Sequence, residues 1–200
     1  MQWPHLNVVR DGQIADPFPN LIWKYHYEFN WDKLKDKVYD HIQKTPSLTA
    51  LELGDSQSSI GSSYKDRVIN WPEMQDFLKW LEPIFEFQWR HHAYVYPEKR
   101  IGEVWFNRHG FGGQTLEHHH NGIGLVLTAY LQLPAGSGFI EFRDPLEYHK
   151  ANSPIIPENH LWAPVECKTN DILIFPGWLK HRTQPSNSNE DRVVMTMNIR

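Results

Sequence analysis

The chain has 200 residues, 40% of them hydrophobic and 22% charged, with a formal net charge of -4. At that length about 70% of the unfolded surface is buried on folding, so one domain is expected, and the composition excludes a disordered, collagen-like or coiled-coil chain. The acidic balance supplies no basic field for a phosphate backbone, so no general nucleic-acid binding is expected.

The first residues, Met1 to Asn7, lack the charged-then-apolar pattern of a secretion signal. No apolar run approaches bilayer length, so the expected location is cytoplasmic and no membrane partner is expected. The single cysteine, Cys167, excludes an intrachain disulfide framework and a Cys-rich zinc site. Two anomalies stand out, 9 Trp and 12 His. Tryptophan reads first as core and pocket wall. Histidine is more informative, because it concentrates between His109 and His149.

In chain order, Asn30 is placed to cap a helix from Trp31 to Lys44, with Leu34, Val38, His41 and Ile42 at helical spacing and Pro46 just beyond. Lys33 to Lys37 reads as its solvated face. The Ser- and Gly-rich stretch Gly54 to Ser63 reads as a mobile surface loop. A second helix is predicted from Pro72 to about Leu81, with Met74, Phe77, Leu78 and Leu81 as its apolar stripe.

From Ala93 the pattern changes to short strands: Ala93 to Tyr96, Val104 to Asn107, Leu125 to Leu133, Phe139 to Phe142, Val165 to Cys167, Ile172 to Phe175 and Val193 to Ile199. Many short strands with Gly/Pro/Asn turns indicate a sandwich or jelly roll. The fold class is therefore mainly β with flanking helices packed on one sheet. Residues 1–90 form a helical and loop layer and residues 91–200 the jelly-roll core of a single domain. Pro134 to Gly138 reads as a hairpin loop.

Alternation splits the strands into two faces. Leu125, Leu127, Ala129, Leu131 and Leu133 form an apolar face opposite Val126, Thr128, Tyr130 and Gln132. In the last strand Val193, Met195, Met197 and Ile199 lie opposite Arg192, Val194, Thr196 and Asn198. One face packs, and the mixed face is suited to a ligand.

Glu117-His118-His119-His120-Asn121 immediately precedes the Leu125 strand. In extended backbone residues two apart share a face, so His118 and His120 can meet one metal while His119 points away. A third imidazole, His181, follows the strand ending in Phe175-Pro176-Gly177-Trp178, and would complete a facial set with open positions of the kind non-haem iron uses. Arg192, on the mixed face of the last strand, can grip a carboxylate in bidentate fashion. Gly110 to Gly113 reads as a turn feeding the metal segment. His91 and His92 read as surface or core histidines.

The stretches Trp105-Phe-Asn107, Gln114-Thr-Leu-Glu-His118-His-His120, Tyr130-Leu131, Gly136 to Pro145, Asp171 to His181 and Arg192 to Asn198 carry a resemblance. Over residues 101–200 the chain resembles the 2-oxoglutarate and Fe(II)-dependent oxygenases of the double-stranded β-helix superfamily, specifically the small phage and bacterial members. The resemblance implies Fe(II), 2-oxoglutarate as co-substrate and O2, with hydroxylation, succinate and CO2 as the outcome. It implies His118 and His181 as iron ligands and Arg192 for the distal carboxylate of 2-oxoglutarate, assisted by Tyr130 and Asn107. The superfamily usually places a carboxylate where this chain has His120. The third ligand is thus expected to be His120, with Asp144 or no third protein ligand as alternatives. Val194 also departs, standing where a hydroxyl residue often assists.

Trp105, Trp162 and Trp178 are candidate walls of a substrate pocket, and Arg143 and His149 are candidates on a covering loop. The substrate is expected to be a small molecule or a protein side chain. Two other readings are a cupin-like three-His metalloenzyme without 2-oxoglutarate and a non-enzymatic jelly-roll binding or phage structural protein.

Overall fold

A computed structural model describes residues 8–10, 21–45, 50–61, 67–92, 100–145, 147 and 161–200. Its elements are β1 (Val8–Arg10), β2 (Ile22–His26), α1 (Trp31–Lys44), β3 (Glu52–Leu53), β4 (Ser56–Ser58), α2 (Gln75–His91), β5 (Ile101–His109), β6 (Gln114–Thr115), β7 (Leu125–Gln132), β8 (Ile140–Arg143), β9 (Trp162–Val165), β10 (Asp171–Pro176), β11 (His181–Thr183) and β12 (Arg192–Ile199). The expected strand at Ala93 to Tyr96 lies outside the described residues.

Helix α1 has the expected limits. The Asn30 side chain accepts from the Lys33 N–H, and Leu34, Val38, His41 and Ile42 are buried. Helix α2 departs from expectation: a 3-10 turn over Pro72–Met74 leads into a helix that continues to His91. The helix runs through Pro83 although proline removes a helical donor. Pro83 and Lys79, whose carbonyl loses that donor, both face water, and Phe85, Gln88 and Trp89 keep the buried stripe going.

The strands form a seven-stranded sheet in the order β1-β2-β10-β7-β12-β5-β4, a three-stranded sheet β11-β8-β9 and a ribbon β3-β6. Both helices pack on one face of the large sheet. Leu125, Leu127, Ala129 and Leu131 of β7 and Val193, Met195, Met197 and Ile199 of β12 meet Leu34, Val38, Phe77, Leu81 and Trp89 there. A second core lies between the sheets, where Val126, Leu173, Phe175 and Val194 face Ile140, Phe142, Ala163 and Val165. Two layers of strands, antiparallel except for the β1–β2 pair, with helices on one side are the double-stranded β-helix architecture.

Three expectations need correction. Leu133 does not continue the helix-facing row. The β12 pairing of β7 shifts register between Val193 and Val194, Gln132 accepts from the Trp31 indole on the helix side, and Leu133 packs between the sheets. Such a bulge adds one residue and inverts the alternation beyond it. Pro134 to Gly138 is not a hairpin loop, because β7 and β8 belong to different sheets; Gly136 (φ 83) and Gly138 (φ 73) instead turn the chain from one layer to the other. Nor is Gly54 to Ser63 a loose loop over its described part. Ser56 to Ser58 pair with Asn107 to His109, and Ser59 is fully buried with its hydroxyl accepting from Phe106 N–H. Serine hydroxyls supply there the packing and bonds that composition alone reads as loop polarity.

Candidate active site

The segment before β7 joins the small sheet through an antiparallel bridge, with His118 N–H donating to His181 C=O and the reverse, both at 3.0 Å. His120 N–H donates to Gly177 C=O at 2.8 Å. Gly177 is needed for that approach, since a Cβ there would sit 2.3 Å from the Ile123 carbonyl oxygen. His119 is exposed and hydrogen-bonds Asn121. One ring nitrogen each from His118, His120 and His181 lies within 4.8 Å of the others.

The hydrogen bonds fix which nitrogens these are. His118 Nδ1 faces the Leu116 carbonyl and His181 Nδ1 the Leu179 carbonyl, each at 2.8 Å. A carbonyl only accepts, so each Nδ1 carries the proton and each Nε2 presents its lone pair. His120 Nδ1 meets Asn198 Oδ1 at 2.7 Å in the same sense. Its Nε2 is buried and without a hydrogen-bond partner among the described residues. Burial lowers the pKa of all three, His120 to about 4, with the neighbouring imidazoles adding to the effect. Three neutral imidazoles with lone pairs converging and Nδ1 groups tied down are the donor set a divalent transition metal takes.

The histidines open into a cleft of about 180 Å³ between the sheets. From the large sheet Trp105 and Asn107 of β5, Thr128 and Tyr130 of β7, and Arg192, Val194 and Thr196 of β12 line it. Trp105 stacks on His120 at 24° and 5.8 Å between ring centroids. Asn107 Oδ1 and Thr128 Oγ1 are buried without partners among the described residues. Polar atoms left this way normally have a ligand or water to satisfy them.

Arg192 is 1% exposed. It donates to the carbonyls of Ser137 and Gln184 and to Thr183 Oγ1, and no carboxylate pairs with it among the described residues. Burial pushes its pKa down to about 10, which leaves it cationic at neutral pH. Its Nε faces His109 Nδ1 at 3.4 Å, and His109 Nε2 meets Thr115 Oγ1 at 2.9 Å. Burial, then the Arg192 charge, holds His109 neutral. Sequence reasoning missed His109, Thr115 and Thr183; the one available signal was that His109 shares the alternate face of Trp105 and Asn107. Tyr130 is fully enclosed, within hydrogen-bond reach of the Cys167 thiol, and burial keeps its phenol neutral.

The other sequence candidates lie elsewhere. Asp144 is buried at the end of β8 and is not in the metal-capable group. Arg143 is on the outer face of the small sheet, paired with Glu117 and Glu147. Trp162 is on that face too, under the Arg182 guanidinium at 4.1 Å. Trp178 is 51% exposed and does not line the cleft, and His149 lies outside the described residues.

Residues 103–198 match the model of a family described as "Putative 2OG-Fe(II) oxygenase". No curated protein matches the sequence. Among solved structures, a prolyl-4-hydroxylase from Pseudomonas putida aligns over 90% of this chain and 91% of its own at 12% identity and a TM-score of 0.58. HygX from Streptomyces hygroscopicus, solved with nickel, 2-oxoglutarate and hygromycin B, aligns over 90% and 83% at 12% identity and 0.57. A viral collagen prolyl hydroxylase from Paramecium bursaria Chlorella virus-1, in complex with 2-oxoglutarate, aligns over 90% and 96% at 10% identity and 0.56. At these identities the structures share the fold.

Proposed function

We propose that the chain is a 2OG-Fe(II) oxygenase, as the match of residues 103–198 supports, in which His118, His120 and His181 hold the iron and Arg192 anchors 2-oxoglutarate. When bound, iron with 2-oxoglutarate and O2 supplies oxidative decarboxylation to succinate and CO2, coupled to oxidation of a substrate C–H bond. The observation that carries the assignment is the pairing of one cleft's two ends: three converging imidazole lone pairs, and a buried guanidinium with no carboxylate of its own among the described residues.

Each group has a task that follows from its surroundings. The backbone carbonyls of Leu116 and Leu179 and the Asn198 amide keep the Nε2 atoms deprotonated and aimed. Arg192 presents a planar fork to a carboxylate, and the carbonyls of Ser137 and Gln184 hold it extended. Tyr130 and Asn107 add neutral hydrogen-bonding groups along the same wall. Trp105 and Ile140 give the space between them apolar walls. A third imidazole in place of a carboxylate leaves the centre more positive by one charge, which strengthens its hold on an anionic co-substrate.

We extend the reading to a single catalytic domain acting on a small molecule or a protein side chain in the cytoplasm. Among the described residues no helix is long and apolar enough to cross a membrane. Iron stoichiometry tests the ligand set: wild type binds one Fe(II) and His181→Ala binds none with comparable affinity. A His181→Ala protein that retains iron and turnover would overturn it.

A further inference from the structure

Glu52 is the one acidic side chain among the described residues lining the cleft. It stands on β3 opposite Thr115 of β6, whose side chain also enters the cleft. The ribbon is fixed by Leu116 N–H donating to Leu51 C=O and by the Gly54 turn (φ 65), where a Cβ would lie 2.3 Å from the Gly112 carbonyl oxygen. Glu52 is therefore held at the wall by rigid backbone. Its Oε2 is buried and receives no hydrogen bond from the described residues. Arg192, the cation of the same cleft, is held instead by Ser137, Gln184 and Thr183.

An enclosed carboxylate oxygen without a donor costs stability, and a charge-assisted hydrogen bond to it is about twice as strong as a neutral one. Leu51 and Ile60 from the flanking segments and the Trp105 ring line the same cleft. A carboxylate set among aliphatic and aromatic walls suits a cation on a hydrocarbon stem.

Resting on the oxygenase reading above, we propose that Glu52 is a specificity-determining residue that receives a protonated amine carried on an aliphatic stem of the substrate. The iron and Arg192 ends of the cleft hold metal and co-substrate, and the Glu52 wall orients the substrate. Burial raises the Glu52 pKa, and a cationic partner draws it back towards the ionised form.

The test is anaerobic calorimetric titration of the Fe(II) and 2-oxoglutarate loaded protein with three probes: N-acetyl-lysine N-methylamide, its neutral norleucine analogue and spermidine. Wild type should bind at least one amine tenfold or more tighter than the norleucine analogue, and Glu52→Gln should abolish that preference. The lysine arm leading marks a protein side chain as the source, and spermidine leading marks a free amine. Equal binding of all three probes, or an undiminished preference in Glu52→Gln, would overturn the proposal. The visible charge-transfer band of the iron and 2-oxoglutarate chelate is recorded in the same samples. Its presence with no amine preference sinks only the Glu52 assignment, while its absence sinks the oxygenase reading beneath it. Glu52→Leu should also raise the Tm of the metal-free protein by ~2–4 °C, the shift expected on removing about 1 kcal/mol of unmet desolvation from a chain of this size. An unchanged or lowered Tm would mean that Glu52 already has a partner in the protein.

Discussion

Replacing Arg192 separates its two effects, because the residue burdens the free protein and serves the complex. Its pKa falls from 12.5 to about 10, and at 1.36 kcal/mol per unit that is roughly 3 kcal/mol against holding the charge inside the fold. The folded pKa of this cation lies below its unfolded value, so the penalty is present at neutral pH and fades only as pH rises through about 10. Arg192→Leu removes that cost. It also removes charged donors from Ser137 C=O, Gln184 C=O and Thr183 Oγ1, at about 1.5–3 kcal/mol each. The lost bonds outweigh the relieved burial, so urea unfolding should show the metal-free variant less stable than wild type by roughly 1–5 kcal/mol. Losing a bidentate charged pair to 2-oxoglutarate costs about 3–4 kcal/mol, a rise in Kd of roughly two to three decades. Arg192→Lys keeps the charge without the fork and should fall between. The assay is anaerobic binding of 2-oxoglutarate to the iron-loaded variants. A Kd within threefold of wild type in Arg192→Leu would refute the assignment, and a variant more stable than wild type would show that these three bonds do not offset the burial of the charge.

Asn198→Val leaves His120 Nδ1 without its 2.7 Å partner, and should weaken Fe(II) binding by about 10–100-fold with little change in 2-oxoglutarate affinity at saturating iron; unchanged iron affinity would show that Asn198 does not orient His120. Gly177→Ala forces a Cβ against the carbonyls of Ile123 and His120, so both Tm and iron affinity should fall. A variant with wild-type values of both would contradict the packing. Asp171 tests acid stability. Burial alone would raise its pKa, but the ion pair with Lys24, the Lys168 N–H and His26 outweigh it, and the net shift is downward from 3.8. Its contribution is therefore present above about pH 3.8 and lost as pH falls through the lower folded value. Asp171→Asn should cost about 2–3 kcal/mol at neutral pH and flatten the acid limb of the stability profile; an acid limb as steep as wild type would assign it to other carboxylates.

How much of this was legible in the sequence follows from the range of the interactions involved. Helix α1 is local, with Asn30, a four-residue stripe and Pro46 all within one segment, and it forms as read. The His118 and His120 pair and the alternating faces of β12 are local too, and the fold brings both to one cleft. Strands β2, β4 and β11 escaped notice because their pairing is supplied by distant segments: β2 by β10, β4 by β5, β11 by β8. The bulge that turns Leu133 inward, and the layer change at Gly136 and Gly138, depend on neighbours that no single-strand pattern contains. Glu52 and Thr183 were invisible for the same reason. Each enters the cleft from a strand whose own sequence is short or polar, and only tertiary pairing aims it there.

In the proposed function one cleft holds iron at its histidine end and 2-oxoglutarate at its arginine end. Anaerobic titration of the Fe(II)-loaded protein with 2-oxoglutarate tests it most directly, through the visible charge-transfer band of the chelate. Wild type should give a saturable band, His181→Ala no band, and Arg192→Leu a band that needs far more 2-oxoglutarate to develop. Bound iron with no band at any 2-oxoglutarate concentration would contradict it.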